Sequence, residues 1–511
     1  MIAMRELDLI RQVETTKFVL SHYRCRSNGA AEVILEGKTA GRHRARHSSV
    51  DILDDGGRLI ETRTIDDRIA DFILNNFAHR GDTESFRIFE GDLEAGRLIR
   101  RQTASTEPGD VRHRTTDAER SYTANGAKLW FHKPIFDKFS STGFGSIIRA
   151  TLTNHQVCAS NCQFCSTISR NRKDAIGLQE AKDFVDQLYF AQAEFNRKHF
   201  PEFNSAYKQA TGSDIRLRGL ILSGGGQPNL WPHFTELVEY LGSLDISLGL
   251  ITNGFPRKLP EEIYEHFEWI RISITPESAS PFYPGGRFDR QYLPSTIVHN
   301  PNITVGYSYV FGPWTNDDIL LRIARSIDNN GFEYCRTLTD CNLTRDAQLA
   351  AHRELGERLF RLGFIDQDGL PTGKIFHQLK YHGSKSEADQ LWEAGQCYLQ
   401  TYSVFWDTTG HEENGYSFCY PCDSVTVLAD MTGDGSVSAS ERSFNYEKWG
   451  TVKNTEVSRL FNEPVKPYFD PREVCSSCLF MRNNQVVKDI IGNGSARVFE
   501  TPVSLKHINF P

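Results

Sequence analysis

The stretch TNHQVCASNCQFCSTISR, residues 153–170, carries three cysteines, Cys158, Cys162 and Cys165, in the spacing C-x3-C-x2-C. It follows directly on SIIRATL (Ser146–Leu152), whose alternation predicts a β-strand. Three thiolates on one short loop suit three irons of a cubane [4Fe–4S] cluster, leaving the fourth iron open to a small molecule. Phe164, next to the last cysteine, would shield such a cluster from water. A single zinc is the other reading, with His155 as its fourth ligand.

Working outward, strand and helix patterns alternate. Strands are predicted at Leu217–Leu222, Ile246–Thr252, Trp269–Ile274, Thr304–Phe311 and Phe332–Leu338. Helical spacing covers Leu178–Ala193, Trp231–Leu241, Pro260–Phe267 and Asp317–Asn329. Counting the strand ahead of the cysteines, six strands alternate with helices. That pattern implies parallel βα units with right-handed crossovers and chemistry at the carboxyl ends of the strands. The predicted class is α/β, a partial (β/α)6 TIM-like barrel over residues 141–345.

Further motifs sit where such a barrel would place them. Ser223-Gly224-Gly225-Gly226-Gln227-Pro228 follows the second strand, Thr252-Asn253-Gly254 ends the third, and Arg271–Thr275 (RISIT) ends the fourth. Together with the cysteine spacing and Phe164, these segments resemble the radical S-adenosylmethionine (SAM) superfamily over residues 145–340. The resemblance implies that Cys158, Cys162 and Cys165 hold a [4Fe–4S] cluster whose open iron chelates SAM. It implies reductive cleavage of SAM to a 5′-deoxyadenosyl radical, which abstracts a hydrogen atom from substrate. It also implies cofactor contacts from Phe164, Gly224, Gly225, Gly226, Gln227, Thr252, Asn253, Ser273 and Tyr307. Two positions depart from the family's pattern. Gln227 stands where Glu is commoner, and Thr275 where Asp is common.

A second group of cysteines lies beyond the barrel, in residues 346–511: Cys397, Cys419, Cys422, Cys475 and Cys478. Two C-x2-C pairs separated by a long gap suit four-thiolate binding of zinc or of a [4Fe–4S] cluster. The region resembles the SPASM or Twitch extensions of the same superfamily, which hold auxiliary clusters. Ser440 stands where that pattern carries a cysteine, and no cysteine follows Cys478. The resemblance therefore implies one auxiliary [4Fe–4S] cluster, with Cys419 or Cys397 supplying the missing ligand. Cys335 and Cys341, around the end of the sixth strand, are expected to be buried hydrophobes.

Residues 1–140 read as an N-terminal α+β extension of unassigned fold, with a strand at Ser48–Leu53, a helix at Asp66–Phe77 and a linker over 102–126. The basic runs there, such as Gly41–His47, read as solvated surface. The chain has 511 residues, 39% hydrophobic and 24% charged, with net charge −7. That balance excludes a fibrous or wholly disordered protein and argues against nucleic acid as partner. Eleven cysteines are too few for a disulfide scaffold of this length. No apolar run is long enough to span a bilayer, and no secretory signal is evident, so a cytoplasmic location is expected.

The reading from sequence is a radical SAM enzyme that oxidises or cross-links a peptide or natural product. Its electron donor would be a flavodoxin or ferredoxin. A sugar or nucleoside substrate is the alternative within the class, with dehydrogenase, epimerase or lyase chemistry. A non-catalytic zinc or iron–sulfur scaffold is the alternative outside it.

Overall fold

The computed structural model describes strand backbone between residues 17 and 103 and most of the chain from residue 125 onward. Outside the described residues lie 104–124, 255–258, 276–294, 378–395, 423–451, 466–479, 494–505, the connections between the first seven strands, and a few short stretches elsewhere. The expected helix at Asp66–Phe77, the linker and Cys341, Cys475 and Cys478 fall there.

The N-terminal strands are β1 (Lys17–Cys25), β2 (Ala31–Ile34), β3 (Arg42–Arg46), β4 (Ser49–Leu53), β5 (Leu59–Thr64), β6 (Ser85–Asp92) and β7 (Arg97–Thr103). They form one sheet in the order β5-β4-β3-β2-β1-β6-β7, antiparallel throughout. β4 covers the expected strand at Ser48–Leu53.

The second sheet contains β8 (Arg149–Thr153), β9 (Gly219–Ser223), β10 (Ser247–Thr252), β11 (Phe267–Ile274), β12 (Thr304–Phe311), β13 (Tyr334–Thr339) and β14 (Ile375–His377). These seven lie side by side in chain order, every neighbouring pair parallel. This is the α/β barrel sheet expected from the strand–helix alternation, with one further short strand. Consecutive parallel strands need crossover connections, and the helices Leu178–Asp186, Phe234–Gly242 and Asp317–Asn330 supply those after β8, β9 and β12.

The last of these shows why the chain turns helical where it does. Asn316 caps it by accepting from the Ile319 N–H at 2.9 Å, Asp317 and Asp318 sit in its first turn, and Gly331 ends it at φ 70°. Ile319, Leu320, Ile323 and Ile327 recur at helical spacing and are buried. Strand side chains alternate to meet that helix layer. Ala150 and Leu152, Leu220 and Leu222, Leu248 and Leu250, Ile270 and Ile272, and Val305 and Tyr307 all enter one apolar core with the helices. Their alternates, such as Thr151, Arg271, Ser273 and Ser308, face the opposite side of the sheet.

The sheet also recruits later segments. β15 (Ser403–Asp407) lies parallel to β8 on its free edge, registered Ser403 with Arg149 and Trp406 with Leu152. β16 (Phe418–Tyr420) and β17 (Val452–Lys453) extend it antiparallel. Segment 506–511 closes the amino end. The Phe510 ring packs edge-on to Trp269 with centroids 5.5 Å apart, Asn509 Nδ2 donates to Ser247 Oγ at 2.9 Å, and Arg149 donates to the Pro511 carbonyl at 2.6 Å.

Helix Arg345–Arg361 lays His352 on His377 of β14, with ring centroids 3.8 Å apart and planes 18° from parallel. Burial, and the neighbouring His352, push His377 down to about 4. Burial also lowers His352. An unfolded histidine titrates near 6.5, so the pair's contribution to stability is complete above that pH and is lost as pH falls from about 6.5 toward 4. Thermal melts should show stability falling over that window, by roughly 3 kcal/mol from His377 alone. His377→Gln should flatten the slope.

Candidate active site

The carboxyl ends of four adjacent strands converge on the cysteine loop. β8 runs out into it, β9 into the glycine turn, β10 into Thr252-Asn253-Gly254 and β11 into Thr275. The loop's two ends are tied together. The Gln156 N–H donates to the Asp174 carbonyl at 2.9 Å and the Ile176 N–H to the Asn154 carbonyl at 3.1 Å. Within it, the Cys165 N–H donates to the Cys162 carbonyl at 3.1 Å.

The three thiols are half-exposed, and each has a neutral polar neighbour. Cys158 Sγ lies 3.4 Å from the Ser160 N–H and 3.8 Å from Asn253 Nδ2. Cys162 Sγ is 3.5 Å from the Thr275 hydroxyl, and Cys165 Sγ is 3.4 Å from the Thr167 hydroxyl. Neutral donors beside sulfur suit a ligating thiolate.

The glycine turn is shaped by this loop. None of Gly224, Gly225 and Gly226 has the positive φ that would by itself demand glycine. The demand is room. A Cβ on Gly226 would stand 2.3 Å from the Val157 carbonyl oxygen and 2.7 Å from the Gln156 carbonyl carbon, and one on Gly225 would meet the Gln156 side chain. A Cβ on Gly224 would be tight as well, 3.2 Å from the Gly226 carbonyl oxygen and 3.3 Å from its nitrogen. In the next turn Gly254, at φ 72°, does need its conformational freedom.

Gln227 joins the three turns, and it is buried. Its N–H donates to the Val157 carbonyl at 2.6 Å, and its carbonyl lies 2.6 Å from His155 Nε2. Its Oε1 accepts from the Asn253 N–H at 2.8 Å, while its Nε2 donates to Asn229 Oδ1 and Thr252 Oγ1. A carboxylate could take the first of these side-chain bonds but could not donate to Asn229. The amide therefore suits this chain. His155, with Nε2 against a carbonyl and burial lowering its pKa, is placed as a strut rather than as a fourth zinc ligand.

Other expected residues are placed as follows. Phe164 packs at 5.2 Å against Trp314. Ser273 lies on the face of β11 that carries Thr275, registered with Ser308. Tyr307 does not reach the loop. Its ring packs on Phe332 at 4.5 Å and its hydroxyl meets Ser326 at 3.0 Å, both on the helix side. Its side chain, an even step from Val305, shares that residue's outward face, so any contact with cofactor at this strand would fall to the backbone. Cys335 is a core residue, as expected.

The carboxy-terminal cysteines separate. Cys419 sits in the main core beside Trp406, and burial pushes its thiol well up. Cys397 and Cys422 share a different cluster with Leu399, Tyr402, Phe480 and Val487. Asn484, on helix Met481–Asn493, accepts from the Tyr398 N–H at 2.8 Å and fixes that cluster. Sequence reading missed Gln156, Asp174 and Asp407, which brace the loop from outside.

The three loop thiols fit an iron–sulfur cluster by donor chemistry and by their half-exposed place at the strand ends. Among the described residues no three His, Cys, Asp or Glu side chains enclose one ion position. A single zinc would need thiolates roughly 3.8 Å apart, from 2.3 Å bonds at tetrahedral angles. A cubane spreads them farther.

Among solved structures the chain is similar to SuiB of Streptococcus suis bound to S-adenosylmethionine. The identity is 12% over 64% of this chain and 69% of that one, with a TM-score of 0.38. It is similar to SuiB bound to the precursor peptide SuiA, at 10% identity over 95% and 100% of the chains, TM-score 0.42. It is similar also to anSMEcpe with bound AdoMet and a Cp18Cys peptide, at 14% identity over 68% and 98%, TM-score 0.34. No family model and no curated protein matches the chain.

Gly226→Ala tests the fit of the glycine turn to the cysteine loop. The core should keep its circular dichroism, while iron retained by the loop after anaerobic reconstitution should fall several-fold, as measured by iron per chain.

Proposed function

We propose that this chain is a radical SAM enzyme. The observation that carries the reading is the clamp at the strand ends, where three half-exposed thiols stand on a loop locked to a glycine turn through Gln227. Cys158, Cys162 and Cys165 would hold a [4Fe–4S] cluster. With SAM bound to it, that cluster supplies one-electron chemistry that begins with hydrogen-atom abstraction. The chain's own residues place and enclose it. Asn253, Thr275 and Thr167 donate toward the sulfurs, and Phe164 against Trp314 covers one side. The backbone of Gly224–Gln227 and the polar face at Ser273 line the space for SAM.

The finer reading is oxidation or cross-linking of a peptide or natural product, with a flavodoxin or ferredoxin as electron donor. Its support is the auxiliary cysteine set, because a four-thiolate cluster can take up an electron from a product radical. Cys397 and Cys422 are the better ligands with Cys475 and Cys478. Cys419 is the spare, since it is committed to an apolar core that excludes a cluster.

Iron and sulfide counts after anaerobic reconstitution test both levels. Wild type should hold about eight irons and the Cys158/Cys162/Cys165→Ala variant about four. Cys422→Ala should lose the other four or so, and Cys419→Ala should lose none. Wild type with dithionite and SAM should release 5′-deoxyadenosine. Zinc without iron in every variant would sink the assignment.

A further inference from the structure

The cysteine loop is braced at both ends by one segment from far along the chain. At its start, Gln156 Nε2 donates to Asp407 Oδ1 at 3.1 Å and to the Thr408 hydroxyl at 3.0 Å. At its end, the Asp174 carboxylate accepts from the Gly410 and Glu412 N–H groups at 2.9 and 3.0 Å. Asp407, Thr408, Gln156 and Asp174 are all buried. Asp407 closes β15, and the chain then turns back into β16, which leads to Cys422. The same Gln156 side chain fills the space that a Cβ on Gly225 would need.

A buried carboxylate is costly to keep unless it holds something in place. Asp407 Oδ1 accepts from the Thr409 N–H at 3.0 Å and its hydroxyl at 2.9 Å as well as from Gln156, while Oδ2 has no partner. The same oxygen thus joins its own turn, through Thr409, to the cysteine loop, through Gln156. We propose that Asp407 is a positioning residue for the cysteine loop, acting through Gln156, and that it couples the loop's placement to the β15–β16 connection. This deepens the radical SAM reading and rests on it for its functional meaning. Its test does not need a loaded cluster.

The test is alkylation of the metal-free, full-length chain with iodoacetamide, followed cysteine by cysteine by peptide mass spectrometry. Gln156→Glu sets a carboxylate against a carboxylate, and Gln156→Met removes the donor without adding charge. Each should raise labelling of Cys158, Cys162 and Cys165 by roughly fivefold, about what one lost hydrogen bond is worth. The buried Cys335 and Cys419 should stay slow. The exchange Gln156→Glu with Asp407→Asn keeps one carboxylate and one amide, and the Thr408 and Thr409 hydroxyls can turn to donate to the new glutamate. It should return the loop cysteines to within about twofold of wild type. After reconstitution, the SAM-induced change in the spectrum of the reduced cluster should weaken in the single variants and return in the exchange. Unchanged loop labelling in both single variants overturns the inference, as does a rise shared equally by Cys335 and Cys419, which would mean general loosening. A wild type without iron would count against the radical SAM reading and leave the labelling result to stand or fall separately.

Discussion

The contact on which the site depends is the one between two backbones. The Gln227 N–H reaches the Val157 carbonyl at 2.6 Å, and this approach leaves no room for a Cβ at Gly226. Through it, the end of β8 and the end of β9 become one rigid rim, and the thiols are carried on that rim. A side chain can relax by changing rotamer; a carbonyl facing an amide cannot. The rest of the rim is built around the same contact. The Gln227 amide extends it to the third turn, and the hydroxyls of Thr252 and Thr275 complete the polar lining.

The sheet explains why these turns meet. Parallel strands in chain order place successive carboxyl ends side by side, so motifs distant in sequence become neighbours at one edge of the structure. That much was legible in the sequence. Apolar runs of strand length alternate with helical spacing, and the strand at Thr304–Phe311 was readable to the residue. The cysteine loop, glycine turn and Thr-Asn-Gly turn were legible as well, because each demands residue types that little else explains.

What was not legible has particular causes. β15 pairs with β8 across a long stretch of chain, and nothing in SVFWD says which edge it will seek. Tyr307 was listed with the strand expected beside the adenine, and its even spacing from Val305 puts its side chain under the helices. The glycines were read only as cofactor contacts, and nothing in the sequence told that Gly225 and Gly226 also leave room for the cysteine loop. Asp407 carried no signal of its own, since a lone aspartate before two threonines looks like any turn. Cys419 and Cys422 looked like a pair in sequence, but the first lies in β16 and enters the main core, while the second lies past the strand's end against another cluster.

The position of β15 has a consequence for how the molecule comes to be made. β8 is the first strand of the barrel to be synthesised, yet one of its edges is paired only when residues 403–407 have been added. Until then that edge presents unpaired backbone groups, and the apolar Ala150 and Leu152 lie along the same strand. Long-range parallel pairing is slow to form. The nascent chain therefore passes through a stage with an open sheet edge, the condition in which strands of neighbouring copies pair wrongly. Slow translation at low temperature should favour soluble protein, and truncation before β15 should favour aggregates.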